Sequence, residues 1–318
     1  MTCAQMRKLI VGPIATVPTA FDDNYKVDYG LMAAATERWT EAGLVNGRSV
    51  LKVAASIGEG HFLSEAEWSK LLQAVVEGAR GQVPVLGAIH HKDTIGTIEN
   101  AKRAADLGVQ ALQISPPIFN MPTQDDMLRY YGAVSDAVQI GIIIYITHWL
   151  RHGTILPETL ARMVDFEHVV AIKWSPPEGV EYSDVFELAD RFNILDNNND
   201  PIRCHKLGGH GFLIDGIEAY PPYYLHLWDL LSQGKYDQAQ AKWDRFIVPF
   251  DQFFRKVVTR SGSDAKVAKG MSKIMGMDLG PPRLPSVTMD EQELAELRSL
   301  MVGWGWPVPD SSTVASHV

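Results

Sequence analysis

The sequence predicts an α/β chain, a (β/α)8 TIM barrel with a C-terminal helical appendage. Three observations carry that prediction. Short apolar, β-branched runs alternate with amphipathic stretches of helical length. The runs are apolar throughout, as strands of a parallel sheet buried on both faces must be. Eight such units occupy about 230 residues, close to the roughly 250 of an ordinary barrel of this type. A doubly wound open sheet is the rival, but it usually shows a glycine-rich turn after its first strand. Here the first strand runs into Pro18-Thr19-Ala20-Phe21.

Taken in order, the strand-like runs are Val11–Thr16, Ser49–Ala54, Val83–Ala88, Ala111–Ile114, Gly141–Ile146, Val169–Lys173, Asn193–Asp196 and Gly211–Asp215. The N-terminal stretch of residues 1–20 reads as the first barrel strand. Its apolar run is broken by Gly12 and Pro13, too early for a signal peptide. Ser64–Ala79 opens with Ser64 and Glu67 at capping-box spacing. Asp93–Leu107 and Thr123–Val138 open with good N-cap residues, and Pro157-Glu158 suits a first helical turn. Beyond residue 235 the strands stop. Tyr236–Lys256, Asp264–Met275 and Met289–Val302 read as helices, with a break at Gly280-Pro281-Pro282. The expected division is a barrel over 1–232, a helical region over 233–306 and a disordered tail over 307–318.

Composition narrows the function. Of 318 residues, 46% are hydrophobic and 21% charged, an ordinary globular mix. A formal net charge of -9 argues against nucleic-acid binding, which needs a basic surface. No apolar run approaches the roughly 20 residues of a membrane span. Two cysteines, Cys3 and Cys204, make no disulfide framework and suit a cytoplasmic, reducing environment.

Lys173 closes the apolar run Val169-Val170-Ala171-Ile172. Lysine is rarely buried. At the C-terminal mouth of a barrel, desolvation would lower its pKa and free the amine to attack a carbonyl. Position alone equally allows a lysine that snorkels to solvent. Tyr145 closes the preceding strand, where its phenol could relay protons to a substrate on Lys173 or simply fill a barrel layer. Ser56-Ile57-Gly58-Glu59 follows the second strand. It reads as a turn whose amides can receive an anion, or as a plain βα turn. His90-His91 are adjacent on a strand end and point to opposite faces, and His148 and His152, though four apart as on a helix face, follow a strand end and precede Gly153, so no metal site is expected.

These motifs together resemble the dihydrodipicolinate synthase and N-acetylneuraminate lyase family over nearly the whole chain. Ala55-Ser56-Ile57-Gly58-Glu59 stands where that family has Gly-Thr/Ser-Thr-Gly-Glu. Pro116-Pro117-Ile118-Phe119-Asn120-Met121-Pro122-Thr123 is similar to its Pro-Tyr-Tyr-Asn-x-Pro-Thr, and Tyr145 stands at the Tyr of Tyr-Asn-x-Pro. Ile172-Lys173 stands at the Schiff-base lysine. Leu207-Gly208-Gly209-His210-Gly211 and Gly280-Pro281-Pro282-Arg283-Leu284-Pro285 are similar to the family's later landmarks.

The resemblance implies a lyase that binds pyruvate or a larger 2-oxo acid as an imine on Lys173, with Tyr145 and Ser56 handling protons. The turn at Ile57 and Gly58 would hold the substrate carboxylate. It implies no metal or organic cofactor, and a homotetramer or homodimer. Ile57 and Phe119 replace hydroxyl-bearing residues, and the loop Thr147, His148, Trp149 and Arg151 departs from the family pattern. Those departures argue against the lysine-biosynthetic synthase reaction. Phe119, Trp149 and Trp174 suggest an aromatic mouth for a bulkier acceptor, or rings packed at a subunit interface. Arg151, Leu213 and Asp215 complete the expected substrate wall, and Glu218 is a further candidate acid or base. Two other readings stay open: a keto-acid sensor or scaffold without turnover, and a metal-dependent barrel hydrolase using His90 and His91.

Overall fold

The computed structural model describes residues 1–150 and 152–310. Eight parallel strands close into a barrel in strict chain order. They are β1 (Gly12–Thr16), β2 (Val50–Val53), β3 (Val85–Ile89), β4 (Ala111–Ile114), β5 (Gly141–Tyr145), β6 (Val169–Trp174), β7 (Asn193–Asp196) and β8 (Gly211–Phe212). Every one is buried along its length, which explains the unbroken apolar runs. β2 stops a residue short of expectation because Ala54 turns to φ +56°. β8 stops at Phe212, three residues before the predicted end, where the chain leaves the sheet.

The outer helices are α2 (Tyr29–Glu41), α3 (Glu65–Ala79), α4 (Thr94–Asp106), α5 (Gln124–Ala137), α6 (Pro157–Ala161), α7 (Pro201–Lys206) and α8 (Pro221–Ser232). The predicted caps form: Ser64 and Glu67 make a reciprocal capping box, as do Thr123 and Asp126, and Asp93 caps α4. Between β6 and β7 a 3-10 helix, Tyr182–Leu188, stands where a regular barrel would carry an α-helix. The first surprise lies at the start of the chain. Residues 3–9 form a helix, α1 (Cys3–Leu9), rather than part of the first strand. Thr2 and Gln5 cap it, and Met6 and Ile10 join Ile14, Val50 and Ile143 inside the barrel. The helix is therefore a plug for the N-terminal end of the barrel.

The C-terminal helices α9 (Tyr236–Arg260), α10 (Ala265–Ile274) and α11 (Glu291–Gly303) share one core with the barrel's outer layer. Phe246 of α9 packs against Trp304 at 4.8 Å between rings and against Tyr224 at 5.6 Å. The expected tail begins at residue 307, yet Val308 packs on this core and Pro309 accepts a hydrogen bond from Arg298. The rest of that expectation, residues 311–318, lies outside the described residues.

One buried ion pair fastens this helical region to the barrel. Glu59 follows the turn after β2 in the left-handed conformation and is fully buried. Its Oε1 accepts the backbone N–H of Arg283 at 2.7 Å, and Lys269 Nζ of α10 lies 3.2 Å from its Oε2. Lys269 also donates to Pro281 O at 2.7 Å. Arg283, within the Gly280–Pro285 motif, reaches Tyr25 O, Phe62 O and the Glu67 carboxylate. Removing one partner of a buried pair strands the other charge. Glu59→Ala is expected to lower stability by about 3–5 kcal/mol. The check is a fall in urea midpoint at constant m, with Glu59→Leu/Lys269→Met recovering part of the loss.

Candidate active site

A cavity of about 470 Å³ opens at the C-terminal mouth of the barrel. Its lining includes Lys173, Tyr145, Ser56, Ile57, Leu213 and Asp215, six of the residues expected from the sequence. The arrangement depends on an irregularity in β6. Ile142 pairs with Val169 but Ile143 pairs with Ala171, so one residue of β6 is extra. Val170 and Ala171 both join the barrel interior, whereas Val169 and Ile172 face the outer layer. Side chains alternate along a strand, so one extra residue inverts every later position. The bulge thereby turns Lys173 inward, level with Tyr145, its partner in the register.

The same bulge turns Trp174 outward. The indole is fully buried between sheet and helices and donates to Tyr182 O at 2.9 Å. It does not line the cavity, which corrects the expectation that it contacts substrate. Phe119 sits in a 3-10 turn, Ile118–Asn120, is 86% exposed and does not line this chain's own cavity. Thr147 is buried beneath its loop against Gly153, and His148 packs on Trp149 at 5.0 Å between rings, so neither lines the cavity. Gly58 is a structural requirement rather than a contact. A Cβ there would stand 2.9 Å from Val17 O, and its own carbonyl accepts from Thr19 at 2.6 Å. Arg151 lies outside the described residues.

Lys173 is 8% exposed, and its Nζ sits 3.7 Å from the centroid of the Tyr145 ring. Burial lowers its pKa to about 7, against the pull of Asp264 and Asp215. Burial, followed by the Asp264 charge, pushes the Tyr145 phenol upward. The Ser56 hydroxyl donates to Asp264 Oδ1 at 3.2 Å, so it is engaged by a carboxylate rather than by Tyr145. Burial, then the neighbouring Asp264, holds the Asp215 carboxyl well above the usual carboxylate range. Glu218 is buried behind the site, its pKa also raised by burial, and does not line the cavity.

Sequence reasoning missed several members of this wall. Lys52 of β2 is the second amine in the cavity and interrupts an apolar strand just as Lys173 does, so the signal was there to read. Asp264 comes from the turn before α10, and Phe250 and Phe254 from α9. Nothing local marks those three, because only the docking of the helical region brings them over the mouth. The aromatic mouth anticipated from Phe119, Trp149 and Trp174 is instead built from Trp149, Phe250, Phe254 and Tyr145.

His90 and His91 are bonded through one ring nitrogen each to the carbonyls of Ala54 (3.0 Å) and Pro116 (2.9 Å). Burial holds His90 down at about 4. Among the described residues no group of three or more His, Cys, Asp or Glu side chains could hold a metal ion. No helix among them is long and apolar enough to cross a membrane.

Comparison with known proteins agrees with this architecture. The 4-hydroxy-tetrahydrodipicolinate synthase of Heliobacterium modesticaldum is 28% identical over 305 residues, 95% of this chain and 98% of its own. That of Xanthomonas axonopodis pv. citri is 32% identical over 244 residues, 76% of this chain and 80% of its own. The crystal structure of a putative dihydrodipicolinate synthetase from Pseudomonas aeruginosa superposes with a TM-score of 0.82 at 22% identity, over 93% of this chain and 99% of that one. At that identity the likeness speaks for the fold alone. The model of the dihydrodipicolinate synthetase family matches residues 10–302, and the chain belongs to that family of Schiff-base-forming lyases.

Proposed function

We propose that Lys173 condenses with the ketone of pyruvate or a larger 2-oxo acid, and that a C–C or C–O bond beside the resulting imine is then made or broken. The observation that carries this reading is the desolvated amine of Lys173, held against Tyr145 in a cavity large enough for a substrate. A free amine attacks the carbonyl, water leaves, and the iminium draws electrons from the adjacent carbon, so a carbanion can form there without a metal. Tyr145, whose ring lies against the Lys173 amine, would exchange that carbon's protons. The substrate carboxylate would lie at the turn of Ser56, Ile57 and Gly58, where backbone amides take the place of a second hydroxyl.

The acceptor differs from that of the lysine-biosynthetic synthase. Ile57 and Phe119 offer no hydroxyl to a proton relay, and the Ser56 hydroxyl is directed to Asp264. Trp149, Phe250 and Phe254 form an apolar wall suited to a bulky or aromatic aldehyde, as in cleavage of an arylidene-pyruvate. Two free thiols accord with a cytoplasmic enzyme.

Incubation with pyruvate and borohydride, followed by intact-mass and peptide mapping, tests the reading. One adduct on Lys173 is expected, and none in Lys173→Ala. Absence of an adduct with pyruvate and with larger 2-oxo acids would sink it. Because the reactive form is the free amine, adduct formation should rise as pH passes through about 7 and then level off. An exposed lysine would keep rising to about 10.

The reading includes a second copy of the chain. Phe119 and Met121 are 86% and 62% exposed on one loop, an apolar pair suited to a subunit contact. Phe119→Glu is expected to reduce the mass seen by sedimentation to that of a smaller oligomer. An unchanged mass would place the contact elsewhere.

A further inference from the structure

Barrel interiors are filled in layers, each built by alternate strands and normally aliphatic. The layer at the mouth of this barrel is built by the even strands and is mostly polar: Lys52 on β2, Gln113 on β4, Lys173 on β6 and Leu213 after β8. Lys52 and Lys173 sit on opposite sides of the ring of eight. Both point into the one cavity, 2% and 8% exposed.

Lys52 Nζ donates to Gln113 Oε1 at 2.9 Å in a fully buried bond and shares the cavity with the amine of Lys173. Two ammonium groups in one water-poor cavity repel each other and are each costly to desolvate, so the pair is disposed to hold one proton rather than two. Their surroundings say which yields first. Burial, then the charge of Lys173, drives the Lys52 pKa well below its ordinary value. Burial also lowers Lys173, to about 7, against the pull of Asp264 and Asp215. The other ionisable groups facing the pair are Asp215, Asp264, Tyr145 and His90. Asp264 is tied to Ser56 and favours an ammonium on either lysine. Tyr145 presents its ring face, not its hydroxyl, to the Lys173 nitrogen.

We propose that Lys52 is a catalytic residue: it takes a proton from the Lys173 ammonium to free the nucleophile, and returns it to the carbinolamine oxygen so that water can leave. The proposal rests on the Schiff-base reading of Lys173 and adds the proton route. The steps balance. Lys52 accepts a proton, leaving Lys173 neutral. The nitrogen lone pair forms the C–N bond while the carbonyl π pair moves to oxygen, and a nitrogen-bound proton transfers to that oxygen. The Lys52 ammonium protonates the hydroxyl, the C–O bond breaks with its electron pair departing in water, and the nitrogen lone pair closes the iminium. The net change is ammonium plus ketone to iminium plus water, with Lys52 restored. Gln113 has a positioning role, since its carbonyl fixes one N–H of Lys52 and so restricts how the amine is presented to the cavity.

The test is the rate, not the yield, of borohydride-trapped pyruvate adduct across pH 6–9 in wild type, Lys52→Met and Gln113→Leu. In Lys52→Met the rate near neutrality is expected to fall about 100-fold or more, as for loss of a general acid–base. The rate should recover with rising pH as hydroxide replaces the missing base, and the final adduct should still map to Lys173. Gln113→Leu should slow the step by about tenfold, within the same range for a misaimed base. An unchanged rate in Lys52→Met overturns the proposal. So does an adduct mapped to Lys52, or a loss that pH does not relieve. Should Lys52→Met fail to fold, an unchanged rate in folded Gln113→Leu overturns it instead. A wild-type protein that traps no 2-oxo acid sinks the Schiff-base reading as well, whereas a wild-type adduct with an unaffected Lys52→Met rate sinks this proposal alone.

Discussion

Two amines share the water-poor interior of a closed barrel, and the cost of desolvating them shapes the rest of the site. An unpaired ammonium in such a place is expensive, and the usual escape is loss of its proton. Here the cost is met partly by that route and partly by counter-charges. Asp215 comes from the segment just after β8, but Asp264 comes from the helical region beyond the barrel. The barrel alone thus has half of its electrostatic complement. That explains why the helical region is fastened so firmly, through Glu59, Lys269 and Arg283, to the turns that follow β1 and β2.

The single extra residue in β6 is the second determinant. A strand continuing the alternation of Val169 would send Lys173 out into the helical layer, where Trp174 now sits. The bulge exchanges them. A lysine enters the cavity, and an indole takes the outer position, where it can be covered completely and still satisfy its N–H on Tyr182 O. Bulges recur where a strand must re-aim a functional side chain, and this one places the amine beside the phenol of β5.

Ser56 illustrates how far a motif can hold while its contacts change. It lies at the turn after β2, as expected, and lines the cavity, yet its hydroxyl is bonded to Asp264. Asp264 in turn raises the pKa of the Tyr145 phenol and supports a positive charge on both lysines. The proton network of this mouth is therefore centred on carboxylates and amines more than on hydroxyls. Family membership describes the scaffold and the imine-forming class, and the polar layer of Lys52, Gln113 and Lys173 lines the mouth of that scaffold here.

By itself the sequence determined the eight strands, their order and the two residues, Tyr145 and Lys173, that end neighbouring strands. Those are local properties: apolar runs bury, capping residues start helices, and a lysine inside an apolar strand stands out against its neighbours. Lys52 was legible by the same rule. What only the tertiary structure decided was direction and company. Which face of β6 carries the lysine depends on a register shift that no periodicity of β6 alone encodes, because it is defined against β5. Whether Phe119, Phe250 or Trp174 touches a substrate depends on how loops and helices distant in the chain pack over the mouth. Burial and charge at a site are sums over neighbours in space, and a sequence orders only neighbours along the chain.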